Sequence, residues 1–204
     1  FFLNKKKFSG KFITFQKKFF KDYLRMLTLL IIADDFTGAL DAGVQFASLG
    51  AKSLVVTDKN YNLADAAALD VLIFDAETRH IEKTSAYEVV YDFLKRARDF
   101  KIPYTYKKTD SGLRGNIGSE LAGAMDALNL AEMAFIPAFP AMKRVTRGGV
   151  HYVDGVPVSQ SMFGADPFEP VKISDVGEII SSQTDKTGIK IFDAETDADM
   201  MEIA

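Results

Sequence analysis

Short apolar runs alternate with amphipathic helical stretches along the chain from Met26 onward. The first run, Leu27–Ala33 (LTLLIIA), is continuous and apolar, as expected of a strand that is buried on both faces. The clearest helix covers residues 83–100 and carries one apolar stripe, formed by Tyr87, Val90, Tyr91, Leu94 and Ala97. This alternation predicts an α/β fold, with an open, mainly parallel sheet flanked by helices in a Rossmann-like arrangement.

The other predicted elements continue the same alternation. Strands are predicted at Ser53–Val56, Val71–Phe74, Tyr104–Tyr106, Met133–Ile136 and Ile189–Phe192. Helices are predicted from a cap at Thr37 to Gly50, from about Asn116 to Leu128, over residues 175–182 and from Asp197 onward. In the segment His151–Val158, an Asp-Gly pair between apolar flanks predicts a small β-hairpin elaboration.

Charged side chains follow the predicted strands at the points where these strands end. The set comprises Asp34 and Asp35 after the first strand, Asp75 and Arg79 after the third, Lys108, Asp110, Ser111 and Arg114 after the fourth, and Lys143, Arg144 and Arg147 after the fifth. Because ligands bind beyond the carboxyl ends of parallel strands, these residues are candidates for one shared site. Cations gathered on an otherwise acidic protein favour a small anionic ligand, since guanidinium groups bind carboxylates in bidentate fashion.

The segment Asp110–Gly118 (DSGLRGNIG) is the most specific of these candidates. Its three glycines permit close approach of the backbone, and Ser111 or Asn116 can cap the next helix. A ligand anion can then meet exposed N–H groups there.

The other candidates also have a purely structural interpretation. The Asp34-Asp35 pair can end a strand and cap a helix. Arg79 and Arg114 can form surface ion pairs, which is the commoner fate of an arginine. The residues by themselves therefore leave both interpretations open, with a ligand site favoured.

Charge is distributed unevenly along the chain. Residues 1–25 carry eight Lys or Arg, one acid and seven of the 17 phenylalanines, whereas residues 26–204 hold 17 basic and 27 acidic residues. A basic amphipathic helix that contacts a membrane or a nucleic acid is one interpretation of residues 1–25. We favour an extension outside the fold, with the natural start at Met26, because a strand–turn–helix pattern begins directly after it. Neither a membrane nor a nucleic acid is therefore expected as a partner.

Residue types and motifs needed for several other functions are scarce. The chain has no cysteine and only two histidines, His80 and His151, so that disulfides and a thiolate or histidine-rich metal site are not expected. No GxxxxGK[ST] loop occurs, because Gly38–Gly43 is followed by Val44-Gln45, and no GxGxxG follows the first strand. The sequence therefore offers no evident site for nucleotide phosphates, and its lack of cysteine fits a cytoplasmic protein.

Five segments, taken in order, resemble the four-carbon acid sugar kinase family. They are IADDFTGALDAGVQFASLG (Ile32–Gly50), DAETR (Asp75–Arg79), YKKTDSGLRGNIGSEL (Tyr106–Leu121), IPAFPAMKRVTRGGVHYVDGVPV (Ile136–Val158) and ADPFEPV (Ala165–Val171). Members of this family phosphorylate threonate, erythronate or their 3-oxo relatives with ATP. The resemblance implies an N-terminal α/β domain that binds the acid sugar and a C-terminal domain that carries most of the ATP site.

The resemblance also implies which residues bind the substrate. In this sequence they are Asp34, Asp35, Arg79, Lys108, Asp110, Ser111 and Arg114. Arg79, together with Arg114, is expected to bind the carboxylate of the acid, while Asp35 or Asp110 accepts hydrogen bonds from its hydroxyls. Asp35 is the preferred base for the proton of the terminal hydroxyl.

ATP and Mg²⁺ are expected to bind mainly to a C-terminal domain that is absent from this chain. Residues 26–204 then form the acid-sugar-binding domain, which is expected to be inactive as a kinase by itself. A domain that lacks its other half exposes surface which that half would cover, so self-association through this surface is a further expectation.

Two other functions compete with this one. The chain can be a stand-alone tetronate-binding module without kinase activity. An acidic pair after strand one, Asp75 after strand three and a later lysine also describe a phospho-accepting receiver domain of signalling, although Lys108 follows the fourth strand rather than the fifth. Acetyl phosphate with Mg²⁺ would label a receiver on Asp75.

Overall fold

Parallel strands form the central sheet of the computed structural model, which describes residues 27–203. The strands are β1 (Leu29–Ala33), β2 (Ser53–Val56), β3 (Val71–Asp75) and β4 (Tyr104–Lys108), in the order β2-β3-β1-β4. All three pairings are parallel, so the predicted α/β fold with an open, mainly parallel sheet is confirmed. The predicted extension at residues 1–25 lies outside the described residues.

The described residues contain five helices, of which the first three pack on the two faces of this sheet. They are α1 (Phe36–Ser48), α2 (Lys83–Arg98), α3 (Ile117–Leu128), α4 (Val176–Ser181) and α5 (Asp197–Ile203), with short 3₁₀ turns at Leu63–Ala66, Pro140–Met142 and Val158–Gln160. Side chains alternate along β1: Leu30 and Ile32 pack in the core with α2 and α3, whereas Ile31 and Ala33 pack with α1. No helix between residues 27 and 203 is long and apolar enough to cross a membrane.

Five further strands form two small sheets beside the central one. A parallel pair joins β5 (Met133–Phe135) to β9 (Ile189–Ile191), and an antiparallel sheet contains β6 (Arg144–Arg147), β7 (Val150–Val153) and β8 (Val156–Pro157). The turn between β7 and β8 has positive φ at Asp154 and Gly155, the conformation that a two-residue hairpin requires, so the predicted hairpin is confirmed.

The register of the central sheet determines which loops meet at its edge. Ala33, the last residue of β1, lies opposite Asp75 of β3 and opposite Lys108 of β4. The segments that follow these three strands therefore leave the sheet side by side, although the strand ends at Ala33, Asp75 and Lys108 are far apart in the chain. This adjacency places the charged residues that follow the strands on one rim.

The helix caps differ from the prediction. Asp35, and not Thr37, caps α1: its Oδ1 atom accepts a hydrogen bond from the N–H of Gly38 at 2.9 Å. Thr37 already lies within the first turn, where its hydroxyl is too late in the chain to serve as the cap. Asn116 occupies the cap position of α3 but makes no cap hydrogen bond, and its amide nitrogen donates to the carbonyls of Thr78 and Ile81.

Removing one ring from the core under α2 should destabilise the fold strongly. The rings of Phe74 and Phe93 stack with centroids 3.9 Å apart, and both side chains are buried. We expect Phe93→Ala to lower the free energy of unfolding by about 3–5 kcal/mol, because it leaves a cavity. The matched control is Phe100→Ala, at a ring that is 44% exposed, which should cost roughly 1 kcal/mol or less. Urea denaturation measures both, and equal losses would contradict the packing described here.

Candidate functional site

Arg79 lies among three aspartates that come from different segments of the chain. Its Nε atom donates to Asp34 Oδ2 at 2.8 Å, and its Nη1 atom donates to Asp35 Oδ2 at 2.7 Å. Its Nη2 atom lies 3.7 Å from Asp110 Oδ1. The side chain of Asp35 is 21% exposed, against 3% for Asp34 and 9% for Asp110, so Asp35 is the carboxylate that a ligand reaches most easily. We call these four residues the arginine–aspartate cluster.

The loop between β3 and α2 holds Arg79 in position. The N–H groups of Thr78 and Arg79 both donate to the carbonyl oxygen of Asp34, at 3.0 and 3.2 Å. The Asn116 amide donates to the carbonyls of Thr78 and Ile81 at 2.8 and 2.7 Å. The loop is thus bound both to the end of β1 and to the start of α3, which fixes the direction of the guanidinium group.

A buried ion pair adjoins the arginine–aspartate cluster. Lys107 Nζ lies 2.9 Å from Glu120 Oε2, and the two side chains are 3% and 1% exposed. Thr78 Oγ1 donates to the other carboxylate oxygen of Glu120. Burial raises the pKa of Glu120, and the charge of Lys107 opposes that shift. The pair joins β4 to α3 and, through Thr78, to the loop that carries Arg79.

The loop between β4 and α3 forms the other half of the rim. Arg114 donates to both carboxylate oxygens of Asp110, at 2.8 and 3.1 Å, and its Nη1 atom donates to Asp166 Oδ2 at 2.9 Å. Burial alone would raise the pKa of Asp110, but the hydrogen bonds from Arg114 and the charge of Arg79 outweigh it and hold that pKa below its usual value. Hydrogen bonds from two backbone N–H groups and from Arg114 lower the pKa of Asp166 to about 2. Both carboxylates are therefore charged at neutral pH.

Two glycines let this loop lie close to its neighbours. A Cβ atom on Gly112 would lie 2.3 Å from the ring of Phe163, and one on Gly115 would lie 2.9 Å from Cγ of Arg79. Gly115 also has a φ of +85°, which side chains with a Cβ rarely adopt. The close approach expected of these glycines thus serves packing against Phe163 and Arg79.

His151 supports the loop from the hairpin side. It is fully buried, its Nε2 atom lies 3.0 Å from the carbonyl oxygen of Ser111, and its Nδ1 atom lies 3.1 Å from Thr146 Oγ1. Because a carbonyl can only accept, Nε2 carries the proton, and Nδ1 accepts from the threonine hydroxyl. Burial lowers the pKa of His151, which keeps the ring neutral and maintains this arrangement.

Lys108 completes the rim next to Asp35. Its Nζ atom donates to the carbonyl of Thr109 at 2.7 Å. A methyl group on Gly38 would lie 2.6 Å from Asp35 Oδ1 and 3.5 Å from Lys108 Nζ, so the ammonium and the carboxylate flank the same glycine. The seven predicted site residues therefore meet at the ends of β1, β3 and β4, with Ser111 present through its backbone carbonyl.

Asp75 lies at the same edge but points into the protein. It is 2% exposed, its Oδ1 atom accepts from the N–H of Glu77 at 3.3 Å, and its Oδ2 atom is buried without a partner among residues 27–203. Burial raises the pKa of Asp75 to about 6, and the carboxylate of Glu77 adds to the shift. A carboxyl this well covered is out of reach of a phosphate donor, which disfavours the receiver interpretation.

The cations that follow β5 separate from one another. Arg147 forms an ion pair with Glu195 on an exposed surface, and Lys143 is exposed. Arg144 alone reaches the loop region, where its guanidinium group lies 5.5 Å from the centre of the Phe163 ring. The prediction that all three converge on the rim therefore holds for Arg144 only.

A cavity of about 410 Å³ adjoins the rim. It shares Arg79 and Arg114 with the site, but the remaining predicted site residues do not line it. Its other walls are the start of α2, the residues around Glu169 and Lys172, and the end of α4. The cavity thus lies beside the arginine–aspartate cluster rather than at it.

Several residues that build the site were missed by the sequence-based prediction. They are Lys107, Glu120, His151 and Asp166. A signal existed for Glu120, which stands between Ile117 and Ala124 on the apolar face of α3, where an acid needs a buried partner. The other three stand in ordinary polar positions, and only their spatial partners reveal them.

The carboxylates of the rim are engaged by arginines and are not arranged around a metal ion. Among the residues that the structure describes, no group of three or more His, Cys, Asp or Glu side chains is arranged to hold one. The best-placed aspartate oxygens instead accept hydrogen bonds from Arg79 and Arg114. These residues therefore do not by themselves fit a Mg²⁺ site.

The fold and the site together define an α/β domain with a rim of charged side chains at the ends of its parallel strands. The chain belongs to the Sugar-binding N-terminal domain family, which matches residues 29–199. The resemblance to four-carbon acid sugar kinases is confirmed, because named relatives carry these activities. This match also supports a kinase family over a receiver domain.

Three relatives illustrate the family. A D-threonate kinase of Salmonella typhimurium is 35% identical over 167 residues, which are 81% of this chain and 39% of that protein. A D-erythronate kinase of Heliobacterium modesticaldum is 32% identical, over 78% of this chain and 37% of that protein. A 3-oxo-tetronate kinase of Escherichia coli is 27% identical, over 88% of this chain and 48% of that protein. The chain thus spans less than half the length of these relatives.

A solved structure shares the fold. A protein of Bordetella bronchiseptica, described as a domain of unknown function, was crystallised with bound citrate as a domain-swapped dimer. It superposes with a TM-score of 0.79 at 29% sequence identity, covering 87% of this chain and 51% of that one. This agreement supports the α/β architecture described above.

Breaking the buried ion pair should destabilise the whole domain. Lys107→Met leaves Glu120 buried without its counter-charge, and we expect a loss of about 3–5 kcal/mol in the free energy of unfolding. The matched control is Lys190→Met, which removes an ion pair with Glu132 whose side chains are 56% and 68% exposed, and which should cost less than about 1 kcal/mol. Chemical denaturation measures the free energy of unfolding of both variants. A loss in Lys107→Met as small as that in Lys190→Met would contradict a buried ion pair.

The neutral state of His151 makes stability depend on pH. The pKa of His151 in the folded protein lies below its value in the unfolded chain, which is about 6.5. At a pH between these two values the unfolded state binds more protons than the folded state. The contribution of neutral His151 to the free energy of unfolding is complete above about pH 6.5. It is lost as the pH falls below that value, by at most about 1.4 kcal/mol per pH unit. We expect this fall in wild type but not in His151→Gln, so the two stabilities should converge on acidification. His80→Gln removes the exposed histidine, which lies 2.8 Å from Glu169, but retains His151 and should therefore keep this fall of stability. A constant difference between wild type and His151→Gln from pH 7 to about 5 would refute the assignment.

Proposed function

We propose that this chain is the acid-sugar-binding half of an ATP-dependent kinase that phosphorylates threonate, erythronate or a 3-oxo-tetronate on its terminal hydroxyl. The observation that carries the proposal is the meeting of Lys108 with the arginine–aspartate cluster, which contains Asp35, at the ends of three parallel strands. The names of the relatives support the substrate class. The citrate of the Bordetella bronchiseptica structure supports a small carboxylate as the kind of ligand.

Asp35 is the proposed base. Its Oδ1 and Oδ2 atoms each accept one hydrogen bond, from Gly38 and from Arg79, and a carboxylate oxygen can accept a second. It is the most exposed member of the arginine–aspartate cluster, so a substrate hydroxyl can donate to it. Lys108, on the other side of Gly38, places a positive charge where negative charge develops on the attacking oxygen.

The other predicted residues orient the substrate in this proposal. Arg79 fixes Asp34, Asp35 and Asp110 relative to one another, so that their oxygens present a rigid set of acceptors to the hydroxyls. Arg114 and Ser111 shape the loop on the far side. Such fixed geometry is what phosphoryl transfer mainly requires, because its catalysis rests on positioning and charge neutralisation.

ATP and Mg²⁺ are proposed to bind chiefly to another domain of the full-length kinase. The described residues fit neither a metal site nor a glycine-rich phosphate loop. A kinase that consumes ATP would act in the cytoplasm. The domain-swapped dimer of the Bordetella bronchiseptica protein supports the further proposal that this chain self-associates.

A stand-alone tetronate-binding module is the second candidate function. It is favoured by the same lack of a nucleotide site among residues 27–203. Phosphorus NMR of the chain with ATP–Mg²⁺ and a bound tetronate distinguishes the two candidate functions, because it detects transfer of phosphate from ATP. Turnover only when a nucleotide-binding domain is added, in the same chain or as a partner, supports the kinase. Binding without turnover in either case supports the module.

Binding of the acid should depend on Asp35. We expect isothermal titration calorimetry to detect binding of D-threonate, D-erythronate or a 3-oxo-tetronate to the full chain. Asp35→Asn should weaken it about 10- to 100-fold, because a charge-assisted hydrogen bond to a hydroxyl is lost. Asparagine caps helices as well as aspartate does, so the fold should persist.

The matched control for this test is Asp41→Asn, at an exposed acid on α1. It removes the same charge outside the rim and should leave the affinity unchanged. An equal loss in both variants would point to a general charge effect. Wild-type chain that binds no four-carbon acid at millimolar concentration would overturn the proposed substrate class.

A further inference from the structure

The two arginines expected to bind a carboxylate are already occupied by the protein itself. All three guanidinium nitrogens of Arg79 face aspartate oxygens of the arginine–aspartate cluster. Those of Arg114 are divided between Asp110 and Asp166, and the hydrogen bonds that Arg114 donates to Asp110 raise the pKa of Arg114 further. A ligand carboxylate at either arginine would share a guanidinium group whose charge aspartates of the protein already compensate. The anionic end of an acid sugar therefore calls for a different cation.

Arg144 is a cation without such a partner. It begins β6 and is half-buried, and it forms no ion pair with any acid of the described chain. Its Nη1 atom donates to the carbonyl of Met142 at 2.8 Å, and its Nε atom is shielded from solvent without an acceptor. The Nε and Nη2 atoms form one edge of the guanidinium group, and this is an edge to which a carboxylate binds in bidentate fashion.

The ring of Phe163 places Arg144 beside the predicted site. The guanidinium carbon of Arg114 lies 5.0 Å from the ring centre, and that of Arg144 lies 5.5 Å from it. The same ring packs against Gly112 so closely that a Cβ there would clash. His151 contacts the Ser111 carbonyl. Burial lowers the pKa of His151, and the positive charge of Arg144 lowers it further. Arg144 therefore acts at the loop that carries Asp110 and Ser111.

We propose that Arg144 binds the carboxylate of the acid sugar, with Phe163 holding its guanidinium group beside Arg114. This inference rests on the proposed function and adds to it the residue that recognises the anionic end of the substrate. Asp35 and Lys108 then serve the terminal hydroxyl, while Arg79 and Arg114 maintain the aspartates. A half-buried charge that lacks a counter-ion is unfavourable, and a bound carboxylate supplies one.

The test measures carboxylate affinity in the full chain by isothermal titration calorimetry. D-threonate, D-erythronate and citrate are the probes, and inorganic phosphate is titrated separately. We expect Arg144→Met to weaken carboxylate binding about 10- to 100-fold, the loss of a charge-assisted bidentate contact. Arg144→Lys keeps the charge but not the fork and should recover part of the affinity.

The control is Arg147→Met on the same strand. Arg147 is exposed and pairs with Glu195 away from the rim, so its loss should leave carboxylate affinity unchanged. A thermal melt of each variant verifies folding. In wild type, the ¹⁵Nε–¹H signal of Arg144 should shift on addition of the carboxylate, a readout that needs no substitution.

The outcomes separate this inference from the proposed function. Arg144-dependent binding of citrate, without binding of any four-carbon acid, would support the role of Arg144 and overturn the proposed substrate. Equal carboxylate affinity in wild type and Arg144→Met, with no shift of the Arg144 signal, would overturn the role of Arg144 alone. Arg144-dependent binding of phosphate but not of carboxylates would also overturn it. A wild-type chain that binds no carboxylate would overturn both.

Discussion

The guanidinium group of Arg79 lies where three aspartates from separate segments meet, and the rest of the rim depends on this contact. Without it, carboxylates of Asp34, Asp35 and Asp110 would repel one another in a place that water reaches poorly. With the Arg79 guanidinium group in place, the ends of β1, β3 and β4 can bring their carboxylates together with little electrostatic repulsion. The parallel register supplies the approach, and one cation supplies the compensation.

A layer of buried polar contacts supports this rim from below. The Lys107–Glu120 pair, Thr78 and His151 each connect one loop of the site to a different element of the fold. Such groups are costly to bury unless they are partnered, and here Glu120 accepts a hydrogen bond from Thr78 while both ring nitrogens of His151 have partners. The arrangement leaves little freedom to the residues that face a ligand. Fixed acceptors and donors are what recognition of a short, hydroxyl-rich acid requires.

The cations of the domain divide into two groups by what they contact. Arg79, Arg114 and Lys107 are neutralised by acids of the protein and act in its construction. Lys108 and Arg144 are not paired with acids in the part of the chain described, and they flank the constructed rim. An acidic site can therefore receive an anion, because its own carboxylates are compensated internally and uncompensated charge remains for the ligand. This division links the electrostatics of the fold to the class of substrate proposed.

The sequence by itself determined the strands and helices of the central sheet, the hairpin turn and the seven residues at the strand ends, because apolar periodicity and turn chemistry are local properties. It could not determine which side chains contact one another. The ion pairs of Arg79, the partner of Glu120 and the contact of His151 with Ser111 arise between residues far apart in the chain, whereas the cap of α1 at Asp35 is local and depends on the backbone conformation at the end of β1. Arg144 and Arg147 share one strand, yet they reach different surroundings. Only tertiary packing decides such partners, because they depend on side-chain direction and on the register of distant strands.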